Sequence, residues 1–256
     1  MSAVITVSAF AASGKIKMRQ PYDSTKVPVL FVHGLWDTKE TWIPMLHQLE
    51  RDPQISQKYQ FWTFSYDTYQ PFWVGAAELR SELDCIKREY RKHKKIVLVG
   101  HSMGGVVSHM VLTDWGGNAR TDVARAIFIA APHRGSDWGR LALTPALEAL
   151  SPENTAFQTL DSLKIRVPFH SIIGSHDELV DYSSSHLEGA KSERIVKSLH
   201  GAHWTQQASD EVRRILLAEV KSARIAAGLS PAAMTAVHRG RAERSGWQKH
   251  SGSPVS

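Results

Sequence analysis

Short runs of apolar, β-branched and aromatic residues alternate along the chain with longer stretches in which apolar positions recur every three or four residues. Six runs read as strands: Val27–Val32, Tyr59–Ser65, Lys95–Val99, Ala126–Ala130, Val167–Ile173 and the more polar Arg194–Ser198. Pro28 is tolerated because it falls near a strand start. Four stretches read as helices: Lys39–Glu50, Ala76–Arg91, Met103–Trp115 and Ser209–Ala227. The last opens on Ser209-Asp210-Glu211, an N-cap signal, and sets Val212, Ile215, Leu216 and Val220 on one face. Strands alternating with helices imply an α/β fold, a mostly parallel sheet of at least six strands with helices on both faces. Sheets of this kind bind ligands outside the carboxyl ends of their strands, so chemistry is to be sought in the residues that follow each strand.

Composition sharpens this picture. The 256 residues fit one α/β domain, and with 42% hydrophobic and 22% charged residues the chain is neither disordered overall nor fibrous. Charged residues and prolines interrupt every apolar run well short of the roughly 18 residues of a membrane-spanning helix. The net charge of +6 resides at the two ends. Residues 1–20 carry Lys15, Lys17 and Arg19 without an acid, and residues 229–256 carry Arg239, Arg241, Arg244 and Lys249 against Glu243. The body between them is balanced, so no nucleic-acid partner is expected. Three regions follow: an apolar and basic segment at 1–20, a folded body at 21–228, and a basic tail at 229–256 that reads as disordered after Gly228. Met1–Ala12 resembles the end of a secretion signal but lacks a positive n-region and much of the h-region, which favours a cytoplasmic location over export. Cys85 is the single cysteine, so no intramolecular disulfide forms.

Directly after the strongest strand comes Gly100-His101-Ser102-Met103-Gly104-Gly105 and then an apolar helical pattern. A serine at such a strand-turn-helix apex is forced into a strained backbone conformation that lifts its hydroxyl above the sheet, and glycines two residues to either side avoid a collision. A serine hydroxyl is a weak nucleophile unless a base lies within hydrogen-bond reach and a carboxylate orients that base. Acid and histidine should follow in that order, each after a later strand. The fifth strand candidate is followed by Asp177 and Asp181, the sixth by His200 and His203. Asp177 is favoured because it lies closer to its strand beyond Gly174, with Asp181 read as a helix cap before Ser183-Ser184-Ser185. His200, on the shorter loop, is favoured over His203. Backbone N–H donors for a developing oxyanion are expected at Met103 and, after His33-Gly34, at Leu35 with Trp36 as the fallback.

These motifs resemble the α/β-hydrolase superfamily, in its lipase and esterase branch with an HG-type oxyanion loop. The resemblance runs from about Val27 to Leu217 through VLFVHGLW, GHSMGG, AAPHRGS, IIGSHDELV and SLHGAHW, and the AAPHRGS segment is similar to a loop of inositol-deacylase-like hydrolases. It implies the α/β-hydrolase fold and a serine esterase or lipase acting through an acyl-enzyme on Ser102, with Asp177 and His200 completing the triad. It also has a departure, because the residue before the triad histidine is usually Gly and here is Leu199, which keeps His203 as an alternative. A thioesterase or acyltransferase would use the same triad, and a catalytically silent domain would use the same pocket for a hydrophobic ligand or partner. The expected partner is a small-molecule acyl ester, with transient contact to a lipid surface. No metal-ligand spacing and no cofactor motif appears, so none is expected. Residues 136–166, rich in leucine and broken by Pro145 and Pro152, read either as a small lid or as a connecting helix packed on the sheet. Trp36, Phe72 and Trp73 are expected on loops near strand ends, where they would line an apolar acyl pocket, although core packing is the more common fate of such aromatics.

Overall fold

Strands β1 (Ile16–Met18), β2 (Val27–Val32), β3 (Tyr59–Phe64), β4 (Ile96–His101), β5 (Val123–Ile129), β6 (Phe169–Gly174) and β7 (Ser192–Val196) form one sheet in the order β1-β3-β2-β4-β5-β6-β7. The computed structural model describes residues 15–113, 115 and 120–226, the side chains of 219–226 excepted. Expectations for Met1–Ala12 and for the tail 229–256 lie outside the described residues. Only β1 runs antiparallel, pairing Ile16 with Phe64 at one edge; the remaining strands are parallel. Two units divide the chain, Met1–Arg213 and Arg214–Ser256. Of the second, the described part is the carboxyl-terminal stretch of helix α8 (Gln206–Ala226).

Central strands read as unbroken apolar runs because they are covered on both faces. Alternate residues take opposite sides. Leu30 and Val32 of β2 join a cluster with α3 (Phe72–Glu89), α4 (Met103–Leu112) and α6 (Thr155–Ser162). Phe31 points the other way, 5.1 Å from the ring of Trp42, which precedes α1 (Ile43–Arg51). Helix α2 (Pro53–Ser56) is a single turn, N-capped by Asp52.

Three expectations change. Phe72 and Trp73 are not on a loop: they open α3 behind Pro71, and Phe72 is fully buried 5.3 Å from Phe157. The segment 136–166 divides along its length. Its rear half forms α5 (Pro145–Ala149) and α6, whose Ala146, Ala149, Phe157 and Leu160 belong to the core, whereas Trp138, Leu141 and Leu143 at its front are exposed. Asp181 occupies the N-cap position of α7 (Tyr182–Ser185) as expected of a cap, but its side chain makes no cap hydrogen bond.

The chain places β3 on one side of β2 and then crosses back to put β4 on the other. A strand order that reverses at this point opens a crevice at the carboxyl ends of the two strands where connections leave in opposite directions. His33-Gly34 leaves β2 at that crevice and Ser102 leaves β4.

Candidate active site

Ser102 has φ 52° and ψ −128°, a combination that an L-residue adopts only under strain. Its neighbours explain how the strain is held. The Ser102 N–H donates to the Ile129 carbonyl of β5 at 2.9 Å, fixing the turn to the sheet, while its own carbonyl accepts from Gly105 N–H at 2.8 Å as α4 begins. A Cβ on Gly100 would fall 2.6 Å from the Gly104 carbonyl, and one on Gly104 would collide with the carbonyls of Val32 and His33. Glycine at both positions lets strand, turn and helix close around the serine.

Ser102 Oγ lies 2.8 Å from His200 Nε2, and His200 Nδ1 lies 3.0 Å from both carboxylate oxygens of Asp177. The Asp177 carboxylate is almost wholly buried, and its Oδ1 also accepts from the N–H groups of Leu179 and Val180, at 3.0 and 2.9 Å. Burial of a charge without partners is costly, and these donors meet that cost while fixing the carboxylate against the imidazole. His200 itself is gripped through its backbone. Its N–H donates to Glu178 Oε2 at 3.0 Å, and its carbonyl accepts from His101 Nε2 at 3.0 Å. His203 sits apart from this chain: it is buried in the 3-10 turn Ala202–Trp204, with Nε2 2.7 Å from Thr41 Oγ1. Asp181 makes no hydrogen bond to either histidine.

The loop after β2 comes close to the serine because Gly34 has no side chain; a Cβ there would lie 3.0 Å from that of Ser102. Tyr66, buried beyond the end of β3, stacks on the His33 ring and donates its hydroxyl to the His33 carbonyl at 2.8 Å. The next residues, Leu35 and Trp36, therefore start from a fixed point, and Trp36 carries a left-handed backbone at φ 54°. Met103 opens α4, so its N–H is among the helix's first four, which have no intrahelical acceptor.

Electrostatics separate the histidines around the serine. Burial pushes His203 down to about 3, helped by the nearby His200. Burial, followed by the neighbouring His203 and His200, holds His101 well below the ordinary imidazole range. His33 is lowered by burial too. All three are uncharged at neutral pH.

A model of the Alpha/beta hydrolase family matches residues 29–243. The chain belongs to that family. Among solved structures, this α/β hydrolase superposes with a TM-score of 0.67 on the mature form of a lipase of Bacillus licheniformis, at 20% identity over 79% of this chain and 98% of that one. A Pyrococcus furiosus esterase gives 0.60 at 16% identity, covering 76% and 83% of the two chains. A lipase-esterase related protein of Clostridium acetobutylicum gives 0.55 at 14%, covering 78% and 99%. Identities this low establish a shared fold. A search of curated proteins finds no match.

Sequence reading of this hydrolase did not find the residues that hold the site in place. His101 and Glu178 were visible beside the motifs, yet nothing in spacing reveals that their side chains grip the His200 backbone across 99 and 22 residues. Ser136 and Trp138 were also missed: Ser136 Oγ donates to the Leu179 carbonyl at 2.5 Å and Trp138 Nε1 to that of Glu178 at 3.3 Å, tying the exposed front of 136–166 to the Asp177 loop.

Proposed function

We propose that this α/β hydrolase cleaves carboxylic esters through an acyl-enzyme on Ser102. The observation that carries the reading is the continuous hydrogen-bonded chain from Ser102 Oγ through His200 to Asp177, at 2.8 and 3.0 Å. His200 Nε2 takes the hydroxyl proton as Ser102 Oγ attacks the ester carbonyl, and Asp177 holds the imidazole in the tautomer that accepts at Nε2 and stabilises the imidazolium. The oxyanion receives N–H groups from Leu35 and Met103 beside the positive end of α4. Collapse breaks the bond to the alkoxy oxygen, which leaves as the alcohol with the proton from His200. Water, deprotonated by the same imidazole, then attacks the acyl carbon, and Ser102 regains its proton as the acid departs.

Exposed Trp36, Leu199 and Trp204, with Trp138, Leu141 and Leu143, lie on loops after β2, β7 and β5. Exposed apolar side chains in these connections suit an acyl chain delivered from a small ester or from a lipid surface. No helix among the described residues is long and apolar enough to cross a membrane.

The test is labelling of the full chain with a fluorophosphonate followed by peptide mapping, beside turnover of short- and medium-chain p-nitrophenyl esters. Labelling is expected on the Ser102 peptide and turnover is expected to vanish in Ser102→Ala. An unlabelled Ser102, or equal turnover by both forms, would reject the enzymatic reading in favour of a silent binding domain.

A further inference from the structure

A cavity of about 730 Å³ lies apart from the candidate triad, and none of Ser102, Asp177 and His200 lines it. Its walls come from α4, from the end of α6 with the stretch that leads into β6, and from the stretch between α7 and β7. The volume falls in the usual range of small-molecule sites, about 300–1,000 Å³. Along the stretch into β6, apolar and basic residues alternate: Leu163, Ile165 and Val167 are half-buried, while Lys164 and Arg166 are exposed. Leu160 and Phe169 add buried apolar surface. Four cations line the cavity, Arg134, Lys164, Arg166 and Lys191, against the acids Asp161 and Glu188. Asp161 lies 3.5 Å from the Arg134 guanidinium, which leaves Glu188 to balance the other three.

A buried polar side chain also reaches this cavity. His109 is 2% exposed and belongs to the lining. Its Nδ1 lies 3.1 Å from His133 Nδ1, and its Nε2 bonds no group among the described residues. Burial, with Arg134 adding to it, keeps His109 uncharged at neutral pH. Of two neutral imidazoles joined through one hydrogen bond, one donates and the other accepts, so the pair has two tautomers. In the first, His133 donates and His109 carries N–H at Nε2; in the second, His109 has a bare lone pair there. An acceptor in the cavity selects the first. That form also makes His133 Nε2, buried without a partner, an unused lone pair instead of an orphaned N–H. Buried orphan donors are the rarer of the two.

We propose that this cavity binds an organic carboxylate with an apolar body, the carboxylate accepting from His109 Nε2–H. The basic lining draws an anion in preference to a cation or a neutral donor. Leu160, Ile165, Phe169 and Leu187 supply contact for the apolar body. One buried donor suits a monoanion. A phosphate dianion would bring more oxygens than this lining can satisfy and would set them against apolar walls. Binding here does not depend on the hydrolase reading, although the acid that an ester hydrolase releases is of the same chemical class.

Calorimetric titration of octanoate into the full chain carrying Ser102→Ala tests the assignment, with octanol and inorganic phosphate as controls. Octanoate is expected to bind at least about tenfold more tightly than either control, the size of effect that a hydrogen bond to a charged group gives. The double variant Lys164→Glu/Lys191→Glu, altered at two exposed positions, is expected to weaken octanoate binding by at least about tenfold through reversal of the local field. His109→Phe is expected to weaken it to a similar extent by removing the donor while keeping an aromatic ring. An octanoate analogue with a terminal diazirine is expected, on irradiation, to label peptides from 160–169 or 187–191. Undetectable octanoate binding, octanol or phosphate binding as tightly, or a lysine double variant that binds unchanged would each overturn the assignment. So would labelling confined to peptides that hold Trp36, Leu199 or Trp204, which would place the acid in the candidate ester site. Should His109→Phe not fold, the lysine variant and the labelling still decide.

Discussion

At the scale of single residues, the candidate site distinguishes two histidines that lie three positions apart. His200 bridges Ser102 and Asp177, whereas His203 bonds Thr41 and stacks against His101. His200→Ala is therefore expected to lower kcat by at least about 10³-fold. His203→Ala opens a cavity beside Trp42 and is expected to lower the thermal midpoint while costing less than about tenfold in kcat. Steady-state turnover of the two variants with one p-nitrophenyl ester decides between them, and the reverse ranking would assign the base role to His203. Asp177→Asn makes a sharper test. The asparagine carbonyl can keep the bonds from the Leu179 and Val180 N–H groups, and that choice turns its amide N–H toward His200 Nδ1. The imidazole is then held with its proton on Nε2, the nitrogen that must accept from Ser102. A loss of about 10⁴-fold in kcat with little change in stability is expected.

At the scale of elements, what positions the serine is the closeness of β2, β4 and the start of α4. Gly104→Ala puts a methyl group into the carbonyls of Val32 and His33, and neither is the end of a flexible side chain. A loss of soluble, folded protein is expected, read by circular dichroism. Tyr66→Phe is milder: it removes one buried donor to the His33 carbonyl, expected to cost about 1–3 kcal/mol in urea unfolding and to lower kcat more than it changes KM. These elements also show what was legible beforehand. The six parallel strands were readable to within about three residues at their ends: five because burial on both faces makes them largely apolar, and β7, mostly exposed at the sheet edge, from the short run that ends in Ile195 and Val196. Strand β1 was not, since the alternation of Ile16, Lys17 and Met18 is too short to stand out. Helices α5 and α6 were hidden by Pro145 and Pro152, which begin or separate short helices as well as breaking long ones. Ser102, Asp177 and His200 could be proposed because each follows a strand at the carboxyl edge. Their supports, His101, Glu178 and Tyr66, could not, because a hydrogen bond to a distant backbone atom has no local pattern.

At the scale of the whole molecule, buried neutral histidines tie stability to pH. His109 of α4 and His133 after β5 are both buried, with their Nδ1 atoms 3.1 Å apart and the His133 ring against Phe128. Burial, with Arg134 adding to it, pushes His109 down to about 4, and burial, with His109 and Arg134 adding to it, pushes His133 well below its ordinary value. In the unfolded chain both return to about 6.5. A histidine lowered on folding binds fewer protons in the native state, so its contribution is intact above the unfolded value. It is lost as pH falls from about 6.5 toward the folded value. By pH 5 His109 would have given up about 2 kcal/mol, a large share of a stability that is usually about 5–15 kcal/mol, and His133 adds a loss in the same direction. Asp122 loses its contribution separately. Burial alone would raise it, but Arg120 outweighs burial and holds it below the ordinary carboxylate value, so its effect falls below about pH 4. Urea midpoints measured between pH 8 and pH 5 should therefore decline before any carboxylate titrates. In His109→Asn the decline should be shallower by about one proton's worth per pH unit. A variant that follows the wild-type curve in parallel would show that His109 already carries its proton in the native protein, or that the α4 interior admits water.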